Sequence, residues 1–185
     1  MKPMREMSEA ELAAYISQHL LGHGIHVLLS GGTCVTIYSG RTYVSGDLDL
    51  VLEGLVSMSK VEAALAEIGF VRADRVFRHP DASLMVDIRP PPPAVGGEPV
   101  KQIIEMQLST GTLRVLSATD CVKDRLAGYY FFNDARCLAQ ACLVAGCRRD
   151  VDLAEVERWS EHEGQGQKFA AIKGRLSQAA SKPLE

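Results

Sequence analysis

A chain of 185 residues of which 46% are hydrophobic is long enough to bury one good core, which excludes disorder over most of its length. Its formal net charge of -3 excludes a protein that coats long nucleic acid by charge alone, while a local basic patch for a small RNA or an acceptor remains open. Five cysteines, Cys34, Cys121, Cys137, Cys142 and Cys147, make an odd set without a Cys-x-x-Cys pair, which fits core positions in a reducing cytosol better than a disulfide framework.

The start, Met1 to Glu6, lacks the apolar stretch of a signal peptide, and no later run is long enough to cross a membrane; the expected location is the cytoplasm. Ser8 followed by Glu11 has capping-box spacing, and Leu12, Tyr15, Ile16 and Leu20 repeat at helical intervals. An amphipathic helix is therefore predicted to about Leu21, ended by Gly22 and Gly24. His19 and His23 have the spacing of helix-borne metal ligands, but a helix end falls there and no glutamate accompanies them as in a zinc protease, so no zinc site is read from them. An apolar strand, Ile25 to Ser30, runs into Gly31-Gly32. A short helical or irregular segment with Val35 and Ile37 follows, then a strand carrying Asp47 and Asp49. Val61, Ala64, Leu65 and Ile68 define a second amphipathic helix closed by Gly69, and short strands are predicted at 70–72, 75–78 and 83–88. Pro90 to Pro93 is a stiff connector that leaves the sheet.

Alternating apolar residues from Val100 to Leu116 predict a hairpin turned at Thr110-Gly111. Beyond Ser117 the period becomes helical, with helices expected at about 119–132, 134–145 (ended by Gly146), 152–163 and 167–179. Leu184-Glu185 reads as an expression-vector scar and carries no meaning here. The expected organisation is an α/β core over 1–116 and a helical lobe over 117–185.

One stretch specifies a chemistry. The strand before Gly31-Gly32 delivers the backbone into a tight turn where glycine permits close approach of a ligand. Asp47 and Asp49 alternate with Gly46, Leu48 and Leu50, which puts both carboxylates on one strand face, roughly 6 to 7 Å apart. Asp87 sits between Val86 and Ile88 on a later strand. Hard divalent ions such as Mg²⁺ take oxygen ligands from one or two carboxylates plus substrate phosphates, which matches this inventory. Alone, Asp-x-Asp reads as a solvated strand edge and Gly-Gly as a turn; their order together with Asp87 is what singles them out.

This order of motifs resembles the nucleotidyltransferase superfamily, on Gly31, Gly32, Asp47, Asp49 and Asp87. The resemblance covers roughly the first half of the chain, with a longer spacer around Ser39-Gly40-Arg41. The second half, including Cys121 to Tyr130 and Asp134 to Leu138, looks like the helical half of small bacterial proteins of this fold related to abortive-infection toxins. The resemblance implies an α+β fold, a mixed sheet flanked by helices and followed by a helical lobe. It also implies Mg²⁺- or Mn²⁺-dependent transfer of a nucleoside monophosphate from a nucleoside triphosphate to an RNA end or a protein. Asp47, Asp49 and Asp87 would hold metal, with Asp87 alternatively taking the acceptor's proton, and Ser30, Gly31 and Gly32 would cradle phosphates. Lys123 would be a phosphate counter-charge, with Arg125 and Arg136 near the acceptor; Lys123-Asp124-Arg125 also reads as a solvated helix face. An antitoxin or a second copy of the chain are the macromolecular partners this implies. The cluster Arg72, Arg75, Arg78, His79 and Arg89, interrupted by Asp74 and Asp81, reads as a solvated hairpin or as a guide for RNA or nucleotide. A catalytically silent module, an antibiotic nucleotidyltransferase and a metal-dependent phosphohydrolase are the competing readings.

Overall fold

The computed structural model describes residues 2–181, so Leu184-Glu185 lies outside the described residues. The chain divides into two compact units, 1–33, 45–93 and 103–115 in the first, 34–44, 94–102 and 116–185 in the second. The fold is a mixed α/β arrangement: a seven-stranded mixed sheet with helices.

In the first unit, α1 (Glu9–Gly22) starts at the capping box expected from the sequence. The Ser8 hydroxyl accepts from the Glu11 N–H and the Glu11 carboxylate accepts from the Ser8 N–H. Leu12, Ile16 and Leu20, one turn apart, are fully buried on one face. The strands β1 (Val27–Ser30), β2 (Asp47–Leu52), β3 (Val71–Ala73), β4 (Val76–Arg78), β5 (Met85–Arg89), β8 (Ile103–Leu108) and β9 (Gly111–Leu116) form the sheet in the order β3-β4-β5-β2-β1-β9-β8. β2 runs antiparallel to β1 and parallel to β5. Along β2, Leu48, Leu50 and Leu52 are buried while Asp47, Asp49 and Val51 stay partly open, so the alternation in the sequence becomes two chemically distinct faces. The helix α3 (Met58–Glu67) buries Val61, Ala64 and Leu65 and packs against α1. Between β1 and β2 comes α2 (Gly31–Tyr38), then a turn with Gly40 and Arg41 at positive φ. Residues 34–44 belong to the second unit, which accounts for the long spacer.

The second unit contains α4 (Ala118–Phe132), α5 (Ala135–Cys147), α6 (Leu153–His162) and α7 (Gly166–Ala180). Ser117, Asp134 and Asp152 cap the first three of these helices. α5 runs through Gly146 instead of ending at it. A Cβ there would meet the Ala179 carbonyl at 3.4 Å, so this glycine serves close helix packing against α7. A two-stranded ribbon, β6 (Ala94–Val95) and β7 (Glu98–Pro99), follows the proline run and was not legible in its Gly- and Pro-rich sequence. Its Val95 carbonyl accepts from the fully buried Trp159 indole at 3.1 Å, and Tyr130 stacks on that indole. No disulfide joins the cysteines; Cys34 and Cys121 are buried, the other three half-buried.

An ion-pair network ties this unit together. Arg158 bonds Glu98 and Glu155, His162 lies 3.1 Å from Glu98, and Glu155 reaches the Lys123 ammonium at 2.7 Å. The hydrogen bond from Arg158 holds the Glu155 carboxyl at about 2, below its ordinary 4.5. A carboxylate depressed in the folded state stabilises fully above its unfolded value and loses that contribution as pH falls from about 4.5 towards 2. Glu155→Gln should cost about 1–2 kcal/mol at neutral pH, where a charged hydrogen-bond partner is lost from a partly exposed position. Urea midpoints should then fall less between pH 7 and pH 3 in the variant than in the wild type; equal acid sensitivity would remove Glu155 from the acid transition.

Candidate functional site

The sheet register assembles what the sequence keeps apart. Ser30 of β1 pairs with Asp49 of β2, and Asp49 pairs with Asp87 of β5. The three residues thus form one row across three adjacent strands, whose spacing is about 4.8 Å. Asp47 lies two residues before Asp49 and shares its face. The Asp49 side chain is 14% exposed and that of Asp87 28%, so the carboxylates line an accessible surface on a rigid base.

Polar contacts fix this base. The fully buried Thr33 donates its hydroxyl to the Asp47 carbonyl at 2.6 Å, and Ser45 donates to Asp47 Oδ1 at 2.9 Å. The Ser30 hydroxyl lies 3.4 Å from the Asp49 carbonyl. Gly31 opens α2 directly after β1 at φ +70, and a Cβ there would fall 1.9 Å from Asp49 Oδ2. Glycine is demanded twice, by the left-handed backbone and by the carboxylate against it. Gly31 and Gly32 are buried here, at the amino end of α2. A helix amino terminus presents N–H groups and partial positive charge, the combination that favours phosphate.

Arg89, which in the sequence belongs to the basic cluster of the expected hairpin, reaches the acidic row instead. Its Nη2 lies 3.0 Å from Asp49 Oδ1 and its Nε 2.9 Å from Asp87 Oδ2. One guanidinium therefore bridges the two carboxylates that the row brings together. The alternation Asp87-Ile88-Arg89 was the available signal, since it puts Arg89 on the face of Asp87. Beside this bridge is a cavity of about 320 Å³ lined by Met58, Arg72, Arg75, Phe77, Asp87 and Arg89 among others. Arg78 and His79 line a separate one with Gly46 and Leu84. The basic cluster is thus split, with three arginines gathered next to Asp87.

Lys123 lies in the second unit, paired with acidic side chains. Its side chain is 6% exposed, 3.1 Å from Asp120 Oδ1 and 2.7 Å from Glu155 Oε1. Two carboxylates neutralise it because α4 and α6 pack together within the second unit. Arg125 pairs with Asp124, and Arg136 with Asp134. Both arginines line a cavity of about 600 Å³ with Tyr43, Cys137 and Gln140 in the second unit.

No helix among the described residues is long and apolar enough to cross a membrane. No protein-family model and no curated protein sequence matches the chain. Solved structures do. An antigenic nucleotidyltransferase-like protein from Paracoccidioides brasiliensis superposes with a TM-score of 0.61 at 12% identity, over 95% of each chain. The antibiotic-resistance factor ANT(2'')-Ia in solution gives a TM-score of 0.51 at 15% identity, over 89% of this chain and 92% of that one. Its crystal structure with adenylyl-2''-tobramycin gives 0.52 at 14% identity, over 86% and 95%. At these identities the likeness establishes one thing, and it agrees with the motif order read from the sequence: the chain has the nucleotidyltransferase fold.

Proposed function

We propose that the chain is a divalent-metal-dependent nucleotidyltransferase that moves a nucleoside monophosphate from a nucleoside triphosphate to an acceptor hydroxyl. The observation that supports this reading best is the row Ser30, Asp49, Asp87, with Asp47 on the same face and α2 opening beside it. The residues fit a hard divalent ion. Their donors are carboxylate oxygens, and Asp49 and Asp87 already share a cation, the Arg89 guanidinium. Asp47, Asp49 and Asp87 would hold Mg²⁺ or Mn²⁺, which when bound neutralises the triphosphate and the charge on the attacking and leaving oxygens.

The chain's own groups do the rest. The Ser30 hydroxyl and the N–H groups of Gly31 and Gly32 bind the terminal phosphates. Asp87 takes the acceptor's proton as the acceptor oxygen bonds the α-phosphorus, the bond to the β-phosphate oxygen breaks, and pyrophosphate leaves. Arg89, displaced from the carboxylates, turns its charge to phosphate. Arg89→Ala should therefore tighten Mn²⁺ binding about threefold, the worth of a partly exposed ion pair, while slowing transfer. Calorimetry without nucleotide reads this directly, and weaker Mn²⁺ binding in the variant would contradict it.

The arginine-lined cavity beside Asp87 supports a phosphate-bearing acceptor such as an RNA end. A second reading, transfer to an antibiotic hydroxyl, is favoured by the likeness to ANT(2'')-Ia, but three arginines repel an amine-rich acceptor. A toxin's place beside an antitoxin rests on the resemblance of the helical half alone. The test is incubation of the protein with the four α-labelled triphosphates, Mg²⁺ and total RNA, protein or aminoglycoside. One or a few nucleotides should appear on a defined RNA with release of pyrophosphate, and Asp87→Asn should be about 100- to 1000-fold slower. Label on protein or antibiotic alone would overturn the acceptor, and neither label nor hydrolysis would leave a silent module.

A further inference from the structure

His19 and His23 have ligand spacing in the sequence but no third ligand near them. The fold supplies one. His19 lies in the last turn of α1, His23 caps that helix, and Glu67 is the last residue of α3. Glu67 Oε2 stands 3.1 Å from His23 Nε2 and 3.8 Å from His19 Nε2, and the three residues offer ligand atoms within 4.8 Å of one another. A tetrahedral ion with bonds of about 2.0–2.1 Å spaces its ligand atoms about 3.3 Å apart. The carboxylate is therefore close to ligand spacing from both imidazoles.

The electrostatics point the same way. His19 Nε2 is 2.8 Å from the carbonyl of Ala64 in the last turn of α3, so the carboxyl ends of two helices meet here. Both ends carry partial negative charge, which favours a cation. The side chains of His19, His23 and Glu67 are 20%, 34% and 57% exposed, which leaves an entry path from solvent.

We propose that His19, His23 and Glu67 bind one late first-row divalent ion, Zn²⁺ or its congeners Co²⁺ and Ni²⁺, with water completing the shell. Two imidazoles and a carboxylate select such ions over Mg²⁺. On binding, His19 moves its ring proton to Nδ1, releases the Ala64 carbonyl and gives its Nε2 lone pair to the ion. The ion then tethers α1 to α3. His23 precedes β1 and Ser30 ends it, so this tether is at the opposite end of that strand from the acidic row.

Titration of the full chain with Co²⁺ near neutral pH and in excess Mg²⁺, followed by visible absorption and then displacement by Zn²⁺, tests the site. One equivalent should bind, and Zn²⁺ should raise the unfolding temperature. His23→Ala at a half-buried position and Glu67→Gln at an exposed one, both checked for helicity by circular dichroism, should weaken binding at least about tenfold. Asp49→Ala should leave it unchanged. Failure of the wild type to bind, wild-type affinity in either variant, or loss of the ion through Asp49→Ala would each overturn the assignment.

Discussion

Asp49→Asn should lower nucleotidyl transfer about a thousandfold or more while leaving the fold intact. Asp49 is the middle residue of the row, paired in register with Ser30 on one side and Asp87 on the other, so a shared ion has no route to Asp87 that bypasses it. The substitution keeps the side chain's shape and leaves the backbone carbonyl that faces the Ser30 hydroxyl. What it removes is one negative charge from a site 14% exposed, where charge–metal attraction is screened less than in water. A loss of about 4 kcal/mol of transition-state stabilisation corresponds to the expected factor. The Arg89 guanidinium still has Asp87 at 2.9 Å, so no buried charge is stranded and thermal stability should change little. Ser30→Ala, one strand away, should cost about tenfold at most, since it deletes a single neutral hydroxyl. Turnover in Asp49→Asn equal to that in Ser30→Ala would remove Asp49 from the metal-binding set.

Local signals in the chain were enough to find most elements but not to assemble the site. The Ser8 and Glu11 capping box and the 3.6-residue spacing of Leu12, Ile16 and Leu20 are properties of a few adjacent residues, and α1 follows from them. The two-residue alternation of β2 likewise told which side Asp47 and Asp49 take. The pairing of Asp49 with Asp87 depends instead on the strand order β5-β2-β1, which no local pattern encodes. The same holds for Arg89, which meets Asp49 across a separation of 40 residues. The pairing of Lys123 with Glu155 was likewise out of reach, because that carboxylate arrives on another helix. His19 and His23 lacked a third ligand for the same reason, as Glu67 reaches them only through the packing of α3 on α1.

Gly31→Ala should both destabilise the first unit and abolish metal-dependent nucleotide binding. A left-handed backbone at φ +70 is strained for alanine, and that term alone costs about 1–2 kcal/mol. The second term is specific to this site. The new Cβ would stand 1.9 Å from Asp49 Oδ2 and 2.7 Å from its Cγ, so either the carboxylate rotates away or the start of α2 shifts. Each response separates the N–H groups that we propose bind phosphate from the acidic row. Gly164 provides the control, because it has the same φ of +70 but nothing within 4 Å of an added Cβ. Gly164→Ala should show the strain term alone, with nucleotide binding intact. Gly31→Ala should lose about 2–4 kcal/mol in all and show no Mg²⁺-dependent triphosphate binding by calorimetry at a temperature where it remains folded. If the two variants lose equal stability and both bind nucleotide normally, the contact between Gly31 and Asp49 has no part in the site.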